Sequence, residues 1–449
     1  IRGGFCMKRT AFICFVSLSL AIGLAGCSKT ESGSASVKTQ EPNGSDSIAA
    51  ISKEPVELEV FLFNSLTDEE IKRLWTEPVR LKHPNITFKF SRISGNGAGL
   101  EKELAAGHKP DILYYAPYIQ DILDLDVPMD LRELMRKHQI NLSGFDKSIV
   151  DAIQGLGPKG EIYSIPFVQN AYLMLYNKSV FDKFGQPYPK DGMMWTDVME
   201  LAKKVSRFDN GVQYRGIDPY IAGGIHRLGF PMSIHYFDAA ANKAFIDPKW
   251  RNVFQLAMDI YGIPNNRPEK LADPLANDFL KNQVVAMLPE YNTRMNSQLP
   301  ALSAMNWDIA QFPSYPDYPN VGIQVDYHQF VVSKTSKYPD QAMQAISVFI
   351  SDQVQLDASR IGRIPASTKV QAEKEYGSEV PEYKGKNIAA MFKSKNAPFP
   401  KSSPYDTLVR NEIVNAFKTV FDGTDINTAL RVAEDKANQA ITAEIQRKK

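Results

Sequence analysis

The chain has 449 residues, 43% hydrophobic and 10% aromatic, which is enough for two or three domains with a substantial core. Its 52 basic residues face 51 acidic ones for a net charge of +1, so no basic excess exists to condense onto nucleic acid. Mean hydropathy is −0.29, and glycine and proline are at ordinary levels, which excludes a low-complexity chain. The three cysteines, Cys6, Cys14 and Cys27, all lie at the extreme N-terminus, so the rest of the chain has no disulfide, cysteine-based zinc site or thiol nucleophile.

Met7-Lys8-Arg9 opens a basic stretch, and Ala11 to Leu24 follows without a charge. That run is short for a membrane span, which needs about 20 residues, and its small-residue exit reads as a secretory signal. The exit, Leu24-Ala25-Gly26-Cys27, resembles the bacterial lipobox, which implies cleavage before Cys27 and lipidation of its sulfur. The expected assignment is a signal peptide over 1–26, starting at Met7, and a lipidated Cys27. Residues 27–55 are rich in Ser, Gly, Lys, Glu and Thr and read as a flexible tether.

Val56 to Phe63 alternates and then becomes wholly apolar, as a strand entering a buried sheet does. Asp68 to Leu81 spaces Ile71, Leu74, Trp75 and Leu81 for a helix capped by Thr67 or Asp68 and stopped at His83-Pro84. A second strand is expected over 86–93, a helix over 100–106, and a third strand entered through Pro110-Asp111-Ile112. Strand–helix alternation of this kind predicts mainly parallel sheets flanked by helices. Further helices are expected at 195–205, 339–350, 406–421 and 427–445, and short strands at 284–288, 306–312 and 330–332.

Catalytic signatures are missing: the sequence has no G-x-S-x-G elbow and no H-E-x-x-H zinc helix. The six histidines are scattered; only His226 and His235 lie near one another, nine residues apart, and they read as exposed loop residues rather than as a metal site. Gly95-Asn96-Gly97-Ala98-Gly99 reads as a flexible strand–helix turn, without the spacing of a nucleotide fingerprint. Asp111, Asp121, Glu290 and Asp326 are conceivable carboxylates for glycoside hydrolysis, but spacing alone pairs none of them. Tyrosines are plentiful, 19 against 4 tryptophans, and several follow expected strand ends, where open α/β sheets bind ligands.

A set of motifs carries a resemblance. Lys109-Pro110-Asp111-Ile112 is followed by Glu161 to Phe167, Leu175-Tyr176-Asn177-Lys178, Phe181 to Gly185 and Trp195-Thr196. Val332 to Lys337 and Ile364-Pro365-Ala366-Ser367 come later in the same order. The pattern resembles the family 1 extracellular solute-binding proteins of ABC importers, over essentially the whole chain after residue 55. The resemblance implies a two-lobed α/β fold, each lobe a mainly parallel sheet flanked by helices, with a ligand cleft between them. It puts 56–166 and 322–352 in the N-terminal lobe, and 167–321 and 353–449 in the other.

By the same resemblance the ligand-binding residues are Asn64, Ser65, Tyr115, Tyr118, Asn170, Glu290, Tyr291 and Asn292, with Tyr327 and Tyr405 as weaker choices. Two features depart from the sugar-binding members: Pro289-Glu290-Tyr291-Asn292 lacks their tryptophan, and Asp326-Tyr327-His328 replaces a glycine pair. The expected protein is an exported, lipid-anchored monomer that captures a small polar solute, a carbohydrate, and delivers it to a membrane permease. No cofactor, metal or nucleic acid is expected, and the membrane is met only through the anchor. A surface-anchored hydrolase such as a glycosidase, and a lipoprotein that presents its ligand to a receptor, are the alternatives.

Overall fold

The computed structural model describes residues 52–447 apart from 64–65, 117–118 and 221–223. The expected signal peptide, Cys27 and nearly all of the tether lie outside these residues, as do Asn64, Ser65 and Tyr118. In chain order the strands are β1 (Val56–Leu62), β2 (Ile86–Arg92), β3 (Ile112–Tyr115), β4 (Ile165–Gln169) and β5 (Tyr172–Asn177). They continue with β6 (Arg207–Asp209), β7 (Val212–Ile217), β8 (Phe237–Asp238), β9 (Lys243–Ala244) and β10 (Val285–Tyr291). The last five are β11 (Trp307–Gln311), β12 (Val321–Gln324), β13 (Tyr327–Val332), β14 (Ile364–Pro365) and β15 (Lys395–Ala397).

Two main sheets result. The first runs β14-β4-β13-β3-β1-β2 and the second β11-β5-β10-β7-β6, while β12 pairs only with β15, and β8 with β9. The expectation of mainly parallel sheets is corrected by the pairing. In the main sheets only β1–β2, β1–β3 and β7–β10 are parallel, and the other pairs are antiparallel. Strands covered on both faces read as continuous apolar runs whichever way they point, so the pattern could not give their direction.

Each sheet of the pair has a core on both faces. In the first, Leu58, Val60, Leu62, Tyr114, Phe330 and Val332 face the larger core, while Phe61, Leu113, Tyr115 and Val331 face the smaller. That is the period-2 alternation of a strand. Trp75 centres the larger core, with Tyr114, Phe167, Phe330 and Phe349 rings 4.9 to 5.8 Å away. It projects from the segment 68–82, two α-helical pieces joined by a π-helical turn at Lys72–Thr76. The cap is Thr67, whose hydroxyl accepts from Glu70 N while the Glu70 carboxylate accepts from Thr67 N. In the second sheet, helices Trp195–Val205, Lys249–Tyr261 and Asp406–Phe421 cover the face carrying Tyr172, Met174 and Tyr176.

Two local expectations change. The glycine-rich run is the first turn of helix Asn96–Ala105 rather than a turn ahead of it. A side chain at Gly97 would meet the Asp121 carboxylate at 2.9 Å, and one at Gly99 would overlap the Ser94 carbonyl, so close packing explains these glycines. His226 is buried rather than exposed, at 4%.

Trp75→Ala is expected to cost about 3–5 kcal/mol, the usual range for emptying a large core site. Thr67→Ala should cost about 1 kcal/mol through loss of the cap. Urea unfolding of the two variants beside the parent checks both values, and equal losses would contradict the assignment of Trp75 as the centre of the core.

Candidate functional site

The chain leaves the first sheet at Gln169 and enters the second at Tyr172, so Asn170 and Ala171 form the link. It returns from β11 through β12 to β13, and passes over again from β14 through β15 to helix Asp406–Phe421. The three links are tied to one another. Asn170 N donates to Asp326 O at 2.8 Å, and Asn170 Nδ2 donates to Asp326 Oδ1 at 3.1 Å. Val325 N donates to Ala397 O at 2.9 Å, and Asn396 Nδ2 to Gln169 Oε1 at 3.0 Å. On the far side, Ala171 N donates to Asn292 Oδ1 at 2.9 Å, while Asn292 N donates back to Ala171 O at 3.0 Å.

Asn170 also reaches His328, its Nδ2 lying 3.3 Å from Nε2. With Nε2 accepting there, the ring proton sits on Nδ1 and is donated to the Tyr114 hydroxyl oxygen 3.0 Å away. Burial, with Arg363 adding repulsion, pushes His328 down to about 3, so it is neutral at physiological pH.

The edge of the second sheet faces this link. Tyr172 and Tyr291 are register partners, with ring centroids 4.3 Å apart in a T-shaped pair. Arg227, on the 3₁₀ helix Ile225–Met232, donates from Nη1 to the Tyr172 hydroxyl at 3.0 Å and lies 4.7 Å from the Tyr291 ring centroid. Glu290 is 1% exposed; its Oε1 accepts from Tyr291 N at 2.9 Å and its Oε2 pairs with Arg294 at 2.6 Å. Burial raises Glu290 to about 7 against the pull of Arg294. Burial raises Asp326 to about 6, with the Arg227 charge and the Asn170 bond opposing.

Two polar atoms in this group are buried and lack a hydrogen-bond partner among the described residues: Asn170 Oδ1, an acceptor, and Arg227 Nε, a donor. A cavity of about 380 Å³ runs along the links, lined by Gln169, Asn170, Tyr172, Gly322, Lys395 and Asn396.

The structure brings Asn170, Glu290, Tyr291 and Asn292 together around this link. Tyr115 and Tyr327, each 1% exposed, are packed into the cores of the first sheet. The Tyr115 ring lies 4.7 Å from that of Phe63 and its hydroxyl donates to Asp121 Oδ2 at 2.8 Å. Tyr405 lies against Phe237, centroids 5.0 Å apart, at the start of helix Asp406–Phe421. Arg227, Tyr172 and His328 belong to the group although the sequence did not single them out as ligand residues; Asp326 was noted only as a carboxylate. The one signal was the Asp326-Tyr327-His328 departure. Among the four conceivable catalytic carboxylates, Asp111 brackets the sheet, accepting from Glu59 N at 2.9 Å and Ser336 Oγ at 2.5 Å. Among the described residues no cluster of His, Cys, Asp or Glu can hold a metal ion, and no helix is long and apolar enough to cross a membrane.

The model of the bacterial extracellular solute-binding protein family matches residues 77–384, more than two thirds of the chain. The chain belongs to this family. Membership makes it a binding protein rather than an enzyme. No curated protein matches it in sequence. Among solved structures, the binding protein is similar to an ABC substrate-binding protein from Listeria monocytogenes in complex with cycloalternan. The TM-score is 0.71 at 19% identity, over 87% of this chain and 100% of that one. It also resembles the maltose/maltodextrin-binding domain of Bdellovibrio bacteriovorus bound to maltotriose, at TM-score 0.63 and 16% identity, over 86% and 100% of the two chains. A sugar transporter from Rhizobium etli in an open conformation gives 0.67 and 19%, over 85% and 99%. These likenesses establish the two-lobed α/β fold.

The raised carboxyls make unliganded stability depend on pH. Between about pH 4.5 and 7 the folded binding protein keeps a proton on Glu290 that the unfolded chain has released, so this group's contribution falls as pH rises through that window. Glu290→Gln should therefore flatten the decline, read by urea unfolding at several pH values. A slope identical to that of the parent would contradict the burial of an ionisable Glu290.

Proposed function

We propose that this solute-binding protein captures a carbohydrate or oligosaccharide in the gap between its two sheets and delivers it to an ABC-type importer. The lobes are drawn around the sheets: 56–169 and 322–352 in the first, the expected bound at 166 moving to the end of β4, with β14 added by its pairing with β4, and 172–321 with the rest of 353–449 in the second. The links at Asn170-Ala171 and Val325-Asp326 serve as the hinge. Ligand contacts from both lobes favour the closed state, and no covalent step is required.

One observation carries the reading: the complementary pair of unpartnered atoms, Asn170 Oδ1 and Arg227 Nε, on the two sides of the link. A buried polar atom without a partner is costly, so a ligand that supplies one binds at a gain. A hydroxyl group both donates and accepts, so a polyol carries groups that suit either atom. Tyr172 and Tyr291 add apolar ring faces of the kind that pack on a sugar ring. Arg227, held beside Glu290 and Asp326, leaves the group close to neutral, which suits an uncharged polyol. The cycloalternan and maltotriose complexes of the structural neighbours agree with this ligand class.

Calorimetry across a panel of oligosaccharides tests the proposal. Asn170→Ala and Arg227→Ala should each weaken binding by about ten- to a hundredfold, the equivalent of about 1–3 kcal/mol for an unmet buried group. The bound sugar should be recovered unchanged, which separates capture from glycoside hydrolysis. No binding by any saccharide, or parental affinity in both variants, overturns the site.

The proposal includes anchoring through Cys27 at the outer face of the cell membrane and action as a monomer beside the permease. Cys27→Ala should release the protein from the membrane fraction with its binding intact, since stable retention takes more than one acyl chain on that residue. Recovery of the parent as an unlipidated form would refute the anchor.

A further inference from the structure

A second cavity, of about 480 Å³, lies between elements of the two sheets, away from Asn170. One wall comes from the start of helix Asn96–Ala105 and from Asp121, beside the smaller core of the first sheet. The other comes from Ser403, Asp406 and Arg410, where helix Asp406–Phe421 packs on the second sheet.

An aspartate stands on each wall. Asp121 Oδ2 accepts from Tyr115 Oη at 2.8 Å and from Gly97 N at 2.9 Å, while its Oδ1 has no hydrogen-bond partner among the described residues. Asp406 is 9% exposed; its Oδ2 accepts from Ser403 N at 3.0 Å, and its Oδ1 likewise has no partner. An ionised carboxylate only accepts, so both oxygens call for donors. The charged side chains lining the cavity are Glu101, Asp121, Asp124, Asp406, Arg410, Glu444 and Arg447, five acids against two bases. Arg447 is paired with Glu444 at 2.7 Å.

We propose that Asp121 and Asp406 form a subsite for an amino-bearing sugar ring, holding its ammonium and hydroxyl donors from opposite walls of the gap. The inference rests on the carbohydrate reading and adds to it the charge class of one ring. An ammonium supplies three donors and a charge that two buried carboxylates stabilise, whereas an anionic ring meets repulsion. Burial raises both carboxyls above their ordinary values, Asp406 to about 6 against the bond from Ser403 N and the pull of the Arg410 charge.

Calorimetry with matched oligosaccharides tests it, each in a free-amino and an N-acetylated form. The parent should bind the amino form at least about tenfold tighter, and the preference should shrink as salt is raised from low to high, since screening weakens partly exposed charge pairs. Asp406→Asn should reduce the preference to about threefold or less. Asp121→Asn, on the opposite wall, should act in the same direction and provides a second measurement if the first variant does not fold. Equal affinity of the parent for both forms, or an undiminished preference in a folded variant, overturns the subsite. Binding confined to the neutral form sinks this inference and leaves the carbohydrate reading standing, whereas no saccharide binding at all sinks both.

Discussion

The contact between Asn170 and Asp326 is the constraint on which the rest depends. The chain must pass between the sheets more than once, and each passage exposes backbone groups that neither sheet can pair. Here one passage satisfies the other: Asn170 N on Asp326 O, and the Asn170 amide on the Asp326 carboxylate. Two links bonded side by side act as one narrow strap. In the proposed hinge, bending would change a few backbone angles there and leave the sheets with their large aromatic cores as rigid units. The strap also brings the carboxyl edge of β4 against the start of β5 and the end of β10, so groups from both sheets converge at the place where open α/β folds bind ligands.

That convergence has an electrostatic consequence. Arg227 sits against Tyr172 and Tyr291 and acts on both Glu290 and Asp326, whose carboxyls burial has already pushed upward. Such a group is expensive to form and adds little to stability, because desolvation offsets the attraction between the charges. In the proposed site its benefit is realised on binding: a polar ring of the solute meets donors and acceptors that are already aimed and already stripped of water. The neutral His328, donating to Tyr114 and accepting from Asn170, keeps the amide in one orientation, with Oδ1 unpartnered among the described residues.

Local structure was legible where local chemistry decides it. The capping box at Thr67, the stop at His83-Pro84 and helix Trp195–Val205 follow from residues within a turn of each other. The position of Asn170 at a passage between the sheets was legible from the motif around Pro166. Strand direction was not, because β13 lies antiparallel to both β3 and β4 through contacts more than 150 residues apart in sequence. Nor was the fate of Tyr115. Its side chain points to the smaller core because β3 alternates with Tyr114, and only the placement of Asp121 reveals where its hydroxyl goes. Arg227 lay in a Gly- and Pro-rich stretch with no periodicity, and becomes a site residue only through Tyr172, 55 positions earlier.

The tie between Tyr115 and Asp121 shows how packing and recognition share the same atoms. The Tyr115 hydroxyl and Gly97 N both spend their hydrogen bonds on Asp121 Oδ2, and Gly97 has no side chain to keep the carboxylate away. A carboxylate so placed stands at the first turn of a ten-residue helix, where the partial positive charge of the free N–H groups favours it. The fold therefore fixes one oxygen of Asp121 by a core tyrosine and a helix terminus, and holds the other in a set position with nothing bonded to it. A side chain used only to close a core would have both oxygens engaged. One held by half of its valence, on the wall of a gap whose opposite wall carries Asp406 in the same condition, has the geometry of a group waiting for a donor that arrives from outside the chain.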